Sequence, residues 1–525
     1  MTPPTPIDAL VVASAEQLDR SMIERVAHRR TRIVLAPGLL AALTASRRAT
    51  LGDLGGDRPV YGVNTGMGAM AGVRLDPAAQ ARQQNTLMVG RAVGSAPWLR
   101  RDQARALLAA RLRTFLHPAA GVSPDLCRHL IALLDADVIP AIPLRGGAAG
   151  EIIPLAHAGA VLLGAGQVLD ADGNAVDTAP ELAAAGLEPR PFEAKEGVAF
   201  LEGVPGLTGL ATLAAAAVRV LLRQIVVGSA ASHAVIRASH DPMHPALADS
   251  EELAAVLKTQ RALLGDDPPT GASQAPGTPA GALQTPGSPT RALQAPVSFR
   301  VTAPALAAAL RAVAAVEASA DRALNAVTDS PAHLDGRFVG TAGFAGTDLA
   351  TTLSALTTAL IHLAELGVAR LHRLLDPAVT GLPRQLSDSP GLHAGMVTVH
   401  KRAVGVTHRL RRFATPALIG TMETSLGQED VQSFGFEAAE CLGEAVAGLR
   451  DVLACELLAV HQAGQLGGPP EGLAAGALTA LDEVAAALPP GTADRPFGRD
   501  LDRIVQLLEN GWAGRVRLPR TTGPG

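Results

Sequence analysis

Aromatic residues are scarce in this sequence: they make up 2% of its 525 residues and include a single tyrosine. Proteins that bind single-stranded nucleic acid stack its bases on aromatic side chains, so this composition disfavours that class. An excess of positive charge is also missing, because 45 lysines and arginines face 49 aspartates and glutamates, a formal net charge of −4. Binding to nucleic-acid phosphates needs such an excess. Nucleic acid is therefore a poor candidate partner.

Cysteine is rare as well. Cys127, Cys441 and Cys455 are widely spaced and form no CxxC pair, which gives no reason to expect disulfides or a zinc site. The histidines show no His-x-x-x-His or carboxylate spacing typical of metal ligands. The sequence predicts a protein of a reducing compartment that holds no metal.

The N-terminus lacks a basic leader, and the most apolar window, 207–230, is interrupted by Arg219, Arg223 and Gln224. A membrane span of about 20 apolar residues seldom tolerates such side chains, and a secretory signal begins with basic residues. These features predict a cytoplasmic protein with no membrane partner.

What the chain has in abundance is leucine and alanine at helical spacing. Long periodic stretches predict helices that pack side by side in a bundle, at 206–238, 303–327, 347–375, 393–415 and 431–463. The first 190 residues are more mixed, with strands expected at 31–35 and 59–63, a hairpin at 166–178, and helices at 101–116 and 123–136. The predicted fold is mainly α, with a smaller mixed α/β cap at residues 1–190, a central bundle at 191–465 and a helical segment at 466–525.

Residues 265–296 break the helical pattern. Three similar decads follow one another at 271–280, 281–290 and 291–300, rich in proline, glycine, serine and threonine. Such a composition buries too little surface to offset its ordering entropy. We expect a mobile surface insertion, with a partner-binding role as the less favoured alternative.

Two glycine-rich segments stand out. The segment VYGVNTGMGAM, at 60–70, surrounds the only tyrosine, and the segment IPLRGGAAGEIIPLAHAG, at 142–159, opens a helix near Glu151. Glycine lets a backbone turn tightly or approach a ligand, and a helix N-terminus can orient an anion or a carbonyl oxygen. Taken alone, the first segment is as consistent with a turn in which Tyr61 is buried for packing, and the second is better explained as a tight loop capped by its own carboxylate.

Together with later motifs, these segments resemble the aromatic amino acid ammonia-lyases and aminomutases. The motifs occur in the order and approximate spacing of that family over about residues 30 to 465: YGVNTGMG, GAAGEIIPLAH, EAKEGVAFLEG, QAPVSFR, NAVTDSP, AGFAG and TSLGQEDVQSFG. The resemblance implies a mainly helical homotetramer that acts on a small molecule, with active sites built from several subunits.

The sequence departs from this family at its most informative point. Family members cyclise an internal Ala-Ser-Gly into an electrophilic methylidene-imidazolone, or MIO, and the serine loses water to become the methylidene carbon. The corresponding triplet here is Ala148-Ala149-Gly150. Alanine has no hydroxyl to eliminate, so we expect no MIO and no other cofactor.

The resemblance also implies which residues form the site. By family position, Tyr61 is the catalytic base, Arg300 binds the substrate carboxylate, Glu429 belongs to the Gln-Glu pair, and Glu202 replaces the usual asparagine. The proposed catalytic set is thus Tyr61, Glu202, Arg300 and Glu429. We expect substrate contacts from Gly68, Arg91, Ala149, Val297, Asn325, Phe344, Ala345 and Gln428.

The acid–base roles of these residues depend on their pKa values. Tyr61 must have its pKa lowered to act as a base, which a nearby Arg300 could do, and Glu202 and Glu429 could share a proton if they lie close. Arg300 could instead be a structural partner of Glu429.

These features favour an enzyme that has given up MIO chemistry. It would use acid–base catalysis for elimination, conjugate addition, isomerisation or cyclisation of an unsaturated or carbonyl-activated small molecule of specialised metabolism. One alternative is an inactive pseudoenzyme or partner subunit of an active MIO lyase. Residual aromatic amino acid ammonia-lyase activity is a further, less favoured, alternative.

Overall fold

A computed structural model describes residues 8–54, 58–148, 150–265 and 294–518. The chain is mainly α-helical, as the leucine and alanine spacing predicts. It divides into two compact units: the first comprises residues 1–215, 315–354 and 416–441, and the second comprises 216–314, 355–415 and 442–525. These units combine segments that are distant along the chain, whereas the predicted domains were continuous.

The elements before residue 202 belong to the first unit. The strands are β1 (Asp8–Val12), β2 (Thr31–Leu35), β3 (Ile139–Pro140), β4 (Gln167–Leu169) and β5 (Ala175–Asp177). The helices are α1 (Arg20–Ala27), α2 (Pro37–Leu54), α3 (Pro77–Arg91), α4 (Arg101–Phe115), α5 (Pro124–Ala136), α6 (Ile152–Leu162), α7 (Thr178–Ala184) and α8 (Glu196–Leu201).

The remaining elements are almost all helical. They are α9 (Pro205–Ile236), α10 (Glu251–Leu264), α11 (Val297–Arg300), α12 (Thr302–Asn325), α13 (Thr347–Leu374), α14 (Pro377–Thr380), α15 (Val397–Leu410), α16 (Gly435–Gly467), α17 (Ala475–Ala487) and α18 (Phe497–Glu509). A short hairpin of β6 (Ala332–Leu334) and β7 (Arg337–Val339) lies between α12 and α13.

Local signals explain where several helices begin. The side chain of Asp19 accepts a hydrogen bond from the amide of Met22 at the start of α1, and Asp76 accepts one from Ala79 at the start of α3. Such caps satisfy amides that have no partner within the helix. In α3 the next residue is Pro77, whose missing N–H costs nothing at the first helical position.

In the first unit, α4 is the central helix. Its residues Ala104 to Leu112 are all buried, and it packs against α1 and α5, while α3 packs against α6 and α8. The strands lie at the margin of this core: β1 pairs in parallel with β2, and β3, β4 and β5 form an antiparallel sheet. The predicted helices at 101–116 and 123–136, the strand at 31–35 and the hairpin at 166–178 are confirmed.

The strand predicted at 59–63 is wrong, because this segment forms a turn. The amide of Val60 donates to Oδ1 of Asn64 at 2.7 Å, and the Gly62 amide donates to the carbonyl of Gly66 at 3.3 Å. These local hydrogen bonds take the groups that a strand would offer to a neighbour.

In the second unit, a buried ion pair joins two of the long helices. Arg370 is 1% exposed and donates to both carboxylate oxygens of Glu456, at 2.7 and 2.8 Å, and to the hydroxyl of Thr302 at 2.9 Å. The hydroxyl of Ser232 donates to Glu456 at 2.7 Å. Each buried charge therefore has its partners, as burial away from water requires.

Three spans are long and apolar enough to cross a membrane by length and composition: Glu196–Ile236, Thr302–Asn325 and Gly343–Leu374. Their most apolar windows are 67%, 56% and 44% buried within the protein itself. The buried Gln224 in α9 donates to the carbonyls of Leu508 and Trp512, at 2.8 and 3.1 Å. Packing of helices against one another accounts for much of this apolarity.

The predicted insertion at 265–296 falls largely on residues 266–293, which lie outside the described residues. The helix predicted at 393–415 is shorter than expected: α15 begins at Val397, after Gly391 and Gly395 with φ of +98° and +58°.

Candidate active site

The glycine-rich turn places Tyr61 in the first unit. At Gly62 the backbone has a φ of +67°, and a Cβ there would lie 2.8 Å from Cγ2 of Val198, so only glycine fits. The amide of Gly68 donates to the phenol oxygen of Tyr61 at 2.8 Å. Because both ends of the turn are tied in this way, the phenol is held in one place.

Tyr61 lies on the wall of a cavity of about 270 Å³ in the first unit. Four segments of the chain meet there: the tyrosine turn, the end of α3, Ala148 with the start of α6, and the segment around Glu429. The lining residues are Tyr61, Met67, Gly68, Arg91, Ala148, Ile152, Ile153, Thr424, Ser425 and Glu429. A mostly apolar wall with a few convergent polar groups is typical of a small-molecule site.

The surroundings of Tyr61 raise its pKa above 10. Burial is the largest cause, and the negative charges of Glu202 and Glu429 act in the same direction, while the Gly68 amide and Arg91 oppose it. Arg300 is not among the charges of the same chain that act on this pKa. Arg91 is the arginine whose charge acts on the phenol, and the net direction is upward, so Tyr61 is neutral at physiological pH.

Glu202 follows α8 and is 8% exposed. Burial raises the pKa of its carboxyl to about 8; the charges of Asp329 and Glu429 add to this, and those of Arg111 and Lys195 oppose it. Glu202 and Glu429 therefore interact, but burial dominates. At neutral pH the Glu202 carboxyl is mostly protonated.

Behind Glu202 lies a group of buried charges. Arg111 is fully buried, donates to the carbonyls of Ala199 and Glu202, and stacks its guanidinium over the ring of Phe115 at 5.1 Å. Burial lowers the pKa of Arg111 to about 10. Lys195 pairs with Asp329 at 2.7 Å, also out of water. Arg111 therefore holds the local backbone of Glu202, and the charges of Arg111 and Lys195 both moderate the rise in its pKa.

Glu151 directly precedes α6, and its side chain contacts the N-terminus of α9. Its carboxylate oxygens accept hydrogen bonds from the amides of Gly206 and Leu207, both at 2.6 Å. Burial raises the pKa of Glu151 to about 7, against the effect of these two amides. The carboxylate thus does not cap its own helix, α6, but supplies acceptors to the first turn of α9, where amides lack partners.

Near Glu429 the chain folds back on itself. The hydroxyl of Thr424 donates to the Glu429 carboxylate at 2.6 Å, and the two residues also pair through their backbones. Ser425 and Leu426 have φ of +54° and +55°, an uncommon conformation for such residues. This bend places Ser425 and Glu429 on the cavity wall.

Two residues assigned to the site lie in the second unit. Arg300 lines a separate cavity of about 680 Å³, together with Asp241, Asp249 and others. Val297 is 59% exposed, on the same short helix α11 as Arg300.

Glu202 and four more residues assigned to the site lie in the first unit but do not line its cavity. Oδ1 of Asn325 accepts from Arg113 at 2.7 Å, and the carbonyl of Ala345 accepts from Ser433. Phe344 places its carbonyl beside Gly150, and Gln428 is exposed. Ala149 lies outside the described residues.

Sequence reasoning missed Arg111 and Thr424. Arg111 interrupts the apolar stretch 106–112 of α4. A charge at such a position indicates a buried residue with a buried partner, and this signal was available in the sequence. Thr424 opens the motif TSLGQEDVQSFG, but the motif assigns it no role, and its bond to Glu429 depends on the local bend.

The triplet does not fit the MIO group of the resembling family. Ala148 lines the cavity, and none of the residues from Gly146 to Gly150 carries a hydroxyl. The route from serine, which loses water to give the methylidene carbon, has no starting group here.

Comparison with known proteins gives one consistent result. The family model described as aromatic amino acid lyase matches residues 18–486. A histidine ammonia-lyase of Deinococcus radiodurans is 33% identical over 468 residues, which cover 88% of this chain and 86% of that protein. A histidine ammonia-lyase of Rhodospirillum rubrum is 29% identical over 501 residues, 94% of this chain and 95% of that protein. Among solved structures, a tyrosine aminomutase from Streptomyces globisporus superposes with a TM-score of 0.88 at 26% identity, covering 97% of this chain and 100% of that one.

Proposed function

Because this chain belongs to the aromatic amino acid lyase family and is a lyase-family enzyme, we propose that it works without MIO, by acid–base catalysis. Its substrate is an unsaturated or carbonyl-activated small molecule, and the reaction is an elimination, conjugate addition, isomerisation or cyclisation in specialised metabolism. The observation that carries the proposal is the cavity of the first unit, where Tyr61, Arg91 and Glu429 meet beside a triplet that lacks a hydroxyl. We further propose a cytoplasmic homotetramer.

The groups on this cavity suggest a division of roles. The raised pKa of Tyr61 makes its phenol a proton donor or a hydrogen-bond donor to a substrate oxygen, rather than a base. We assign proton abstraction to the Glu429 carboxylate on the cavity wall. Glu202, protonated at neutral pH and not itself on the cavity wall, interacts electrostatically with Glu429 and Tyr61, and we assign it a role in adjusting their protonation.

Intact mass and ammonia release test the proposal first. An unmodified mass of the purified protein, with no ammonia released from histidine, phenylalanine or tyrosine, is the expected result. A mass lower by two water molecules, together with ammonia release, would show an ordinary MIO lyase and end the proposal. Ammonia release at an unmodified mass would instead support residual lyase activity without the group.

Substitution of Tyr61 tests the acid–base assignment. Once a screen of unsaturated and carbonyl compounds identifies a substrate, Y61F should lower kcat by about 100-fold or more, because a positioned proton donor contributes on that order. Met70 provides a matched control, since it lies on the same loop, is 60% exposed and does not line the cavity. M70L should turn over normally, and a Y61F enzyme as active as M70L would contradict the role of the phenol.

A pseudoenzyme is the second candidate, and the missing hydroxyl of the triplet is the observation that favours it. In that case the chain would assemble with an active MIO lyase. Co-purification with a subunit whose mass carries the two-water deficit would support this candidate, whereas turnover by the chain alone would exclude it.

A further inference from the structure

Arg91 is a half-buried arginine whose guanidinium has no hydrogen-bond or ion-pair partner among the residues that the structure describes. It is the last residue of α3 and lines the cavity of the first unit. Within the part of the chain that the structure describes, its guanidinium makes no hydrogen bond and no ion pair. By contrast, the buried Arg105 donates to the carbonyls of Val26 and Leu134 and to the carboxylate of Asp137.

The ionisable groups that face Arg91 favour its charged form but make no direct contact with its guanidinium among the described residues. Its electrostatic neighbours are Tyr61, Glu202 and Glu429, and burial nevertheless lowers the pKa of Arg91. The Tyr61 phenol is neutral, and Glu202 is mostly protonated at neutral pH. The Glu429 carboxylate already accepts the hydroxyl of Thr424 at 2.6 Å.

The helix end does not explain this placement. A cation in the last turn of α3 favours the helix dipole, but it would do so equally well in water. Removing an unpaired guanidinium from water costs free energy, and the apolar neighbours Met67, Ile152 and Ile153 add to that cost. A ligand that brings a negative charge would offset it, and in such surroundings the attraction is stronger than in water.

We propose that Arg91 binds a carboxylate of the substrate in this cavity. The inference rests on the proposed function only in taking this cavity as the substrate site. A guanidinium presents paired N–H groups in a plane that matches the two oxygens of a carboxylate. The substrate class is therefore a small unsaturated or carbonyl-activated carboxylic acid, whose acid group lies on the Arg91 side of the cavity.

Benzoate and benzamide test this proposal by calorimetric titration of the full-length protein, because they share shape and differ in charge. The wild-type protein should bind benzoate at least about tenfold more tightly than benzamide, and R91Q should lose that preference, since one charge-assisted pair accounts for about that much. R82Q is the matched control: Arg82 lies on the same helix, is exposed and does not line the cavity. R82Q should retain the full preference.

Several outcomes would overturn the proposal. One is equal affinity of the wild-type protein for benzoate and benzamide. Another is an affinity of R91Q for benzoate that equals the affinity of R82Q, because the anion would then bind at another place. If R91Q does not fold, R91K replaces it and should show a weakened preference, because an ammonium lacks the planar pair of donors; an unchanged preference in R91K would count against the proposal. Because no turnover is measured, a pseudoenzyme could still show the preference, so failure here is distinct from failure of the acid–base mechanism.

Discussion

At the scale of single residues, the raised pKa of Glu202 has a measurable consequence for stability. Its pKa of about 8 in the folded protein exceeds its ordinary value of 4.5. Between these two pH values the folded state holds a proton that the unfolded state has released, so stability falls as the pH rises, by at most about 1.4 kcal/mol per pH unit for one proton. E202Q cannot ionise, and it should gain stability relative to wild type from pH 5 to pH 8.

Urea unfolding at pH 5, 6.5 and 8 measures this difference. The exposed Glu188 offers a control, because E188Q makes the same change from carboxyl to amide at a side chain that is already in water. A free-energy difference between E202Q and wild type that stays constant over this range would show that Glu202 is not held protonated by burial.

At the scale of secondary-structure elements, Glu151 joins the start of α6 to the first turn of α9. Its carboxylate accepts the Gly206 and Leu207 amides at 2.6 Å, in a place that water does not reach. E151A would leave both amides without an acceptor, and we expect a loss of roughly 3 kcal/mol of unfolding free energy. E151Q should lose less, because an amide oxygen can still accept from one of them.

Chemical denaturation of E151A, E151Q and the exposed control E188A would measure these losses. E188A should lie within about 0.5 kcal/mol of wild type, as is usual for an exposed site. A loss in E151A no larger than that in E188A would mean that Glu151 does not hold the first turn of α9.

At the scale of the whole molecule, the segment 416–432 exposes several large apolar side chains. Ile419 is 69% exposed, Met422 74%, Leu426 93% and Val431 73%. Exposed apolar residues that occur together are typical of association surfaces. They agree with the proposed homotetramer, and we expect light scattering of the purified protein to give four times the 53.6 kDa of one chain.

A double substitution tests whether this segment forms the contact. I419D with L426D should lower the measured mass, since two carboxylates would be buried without partners. E423D, a conservative change at an exposed residue of the same segment, is the control and should keep the wild-type mass. A tetramer that survives the double substitution would place the association surface elsewhere.

Much of the fold could be predicted because helical periodicity is a local property. The predicted ranges 206–238, 303–327, 347–375 and 431–463 correspond to α9, α12, α13 and α16 within a few residues. The failures have local causes as well: at 59–63 the side chain of Asn64 closes a turn in a segment that reads as a strand.

Less of the site could be predicted. Family position identifies Tyr61, Arg91 and Glu429, which the structure brings to one cavity, and Arg300, which lines a cavity of the second unit and whose place in a site shared between subunits stays a prediction. Arg111 belongs to no quoted motif, and Thr424 belongs to one that gives it no role. Their effect on the site could not be predicted, because their contacts arise from packing and from a local bend.

The sequence by itself determined the chemical inventory of this protein: a helical chain of the lyase family whose triplet carries no hydroxyl for MIO formation. Tertiary structure alone decided which ionisable groups are neutral and that Arg91 makes no hydrogen bond or ion pair within the described part of the chain. A pKa depends on burial and on charges that folding brings together, as Arg111, Asp329 and Glu429 are brought together around Glu202. No spacing along the chain encodes that arrangement, because it depends on distances in space and on the exclusion of water.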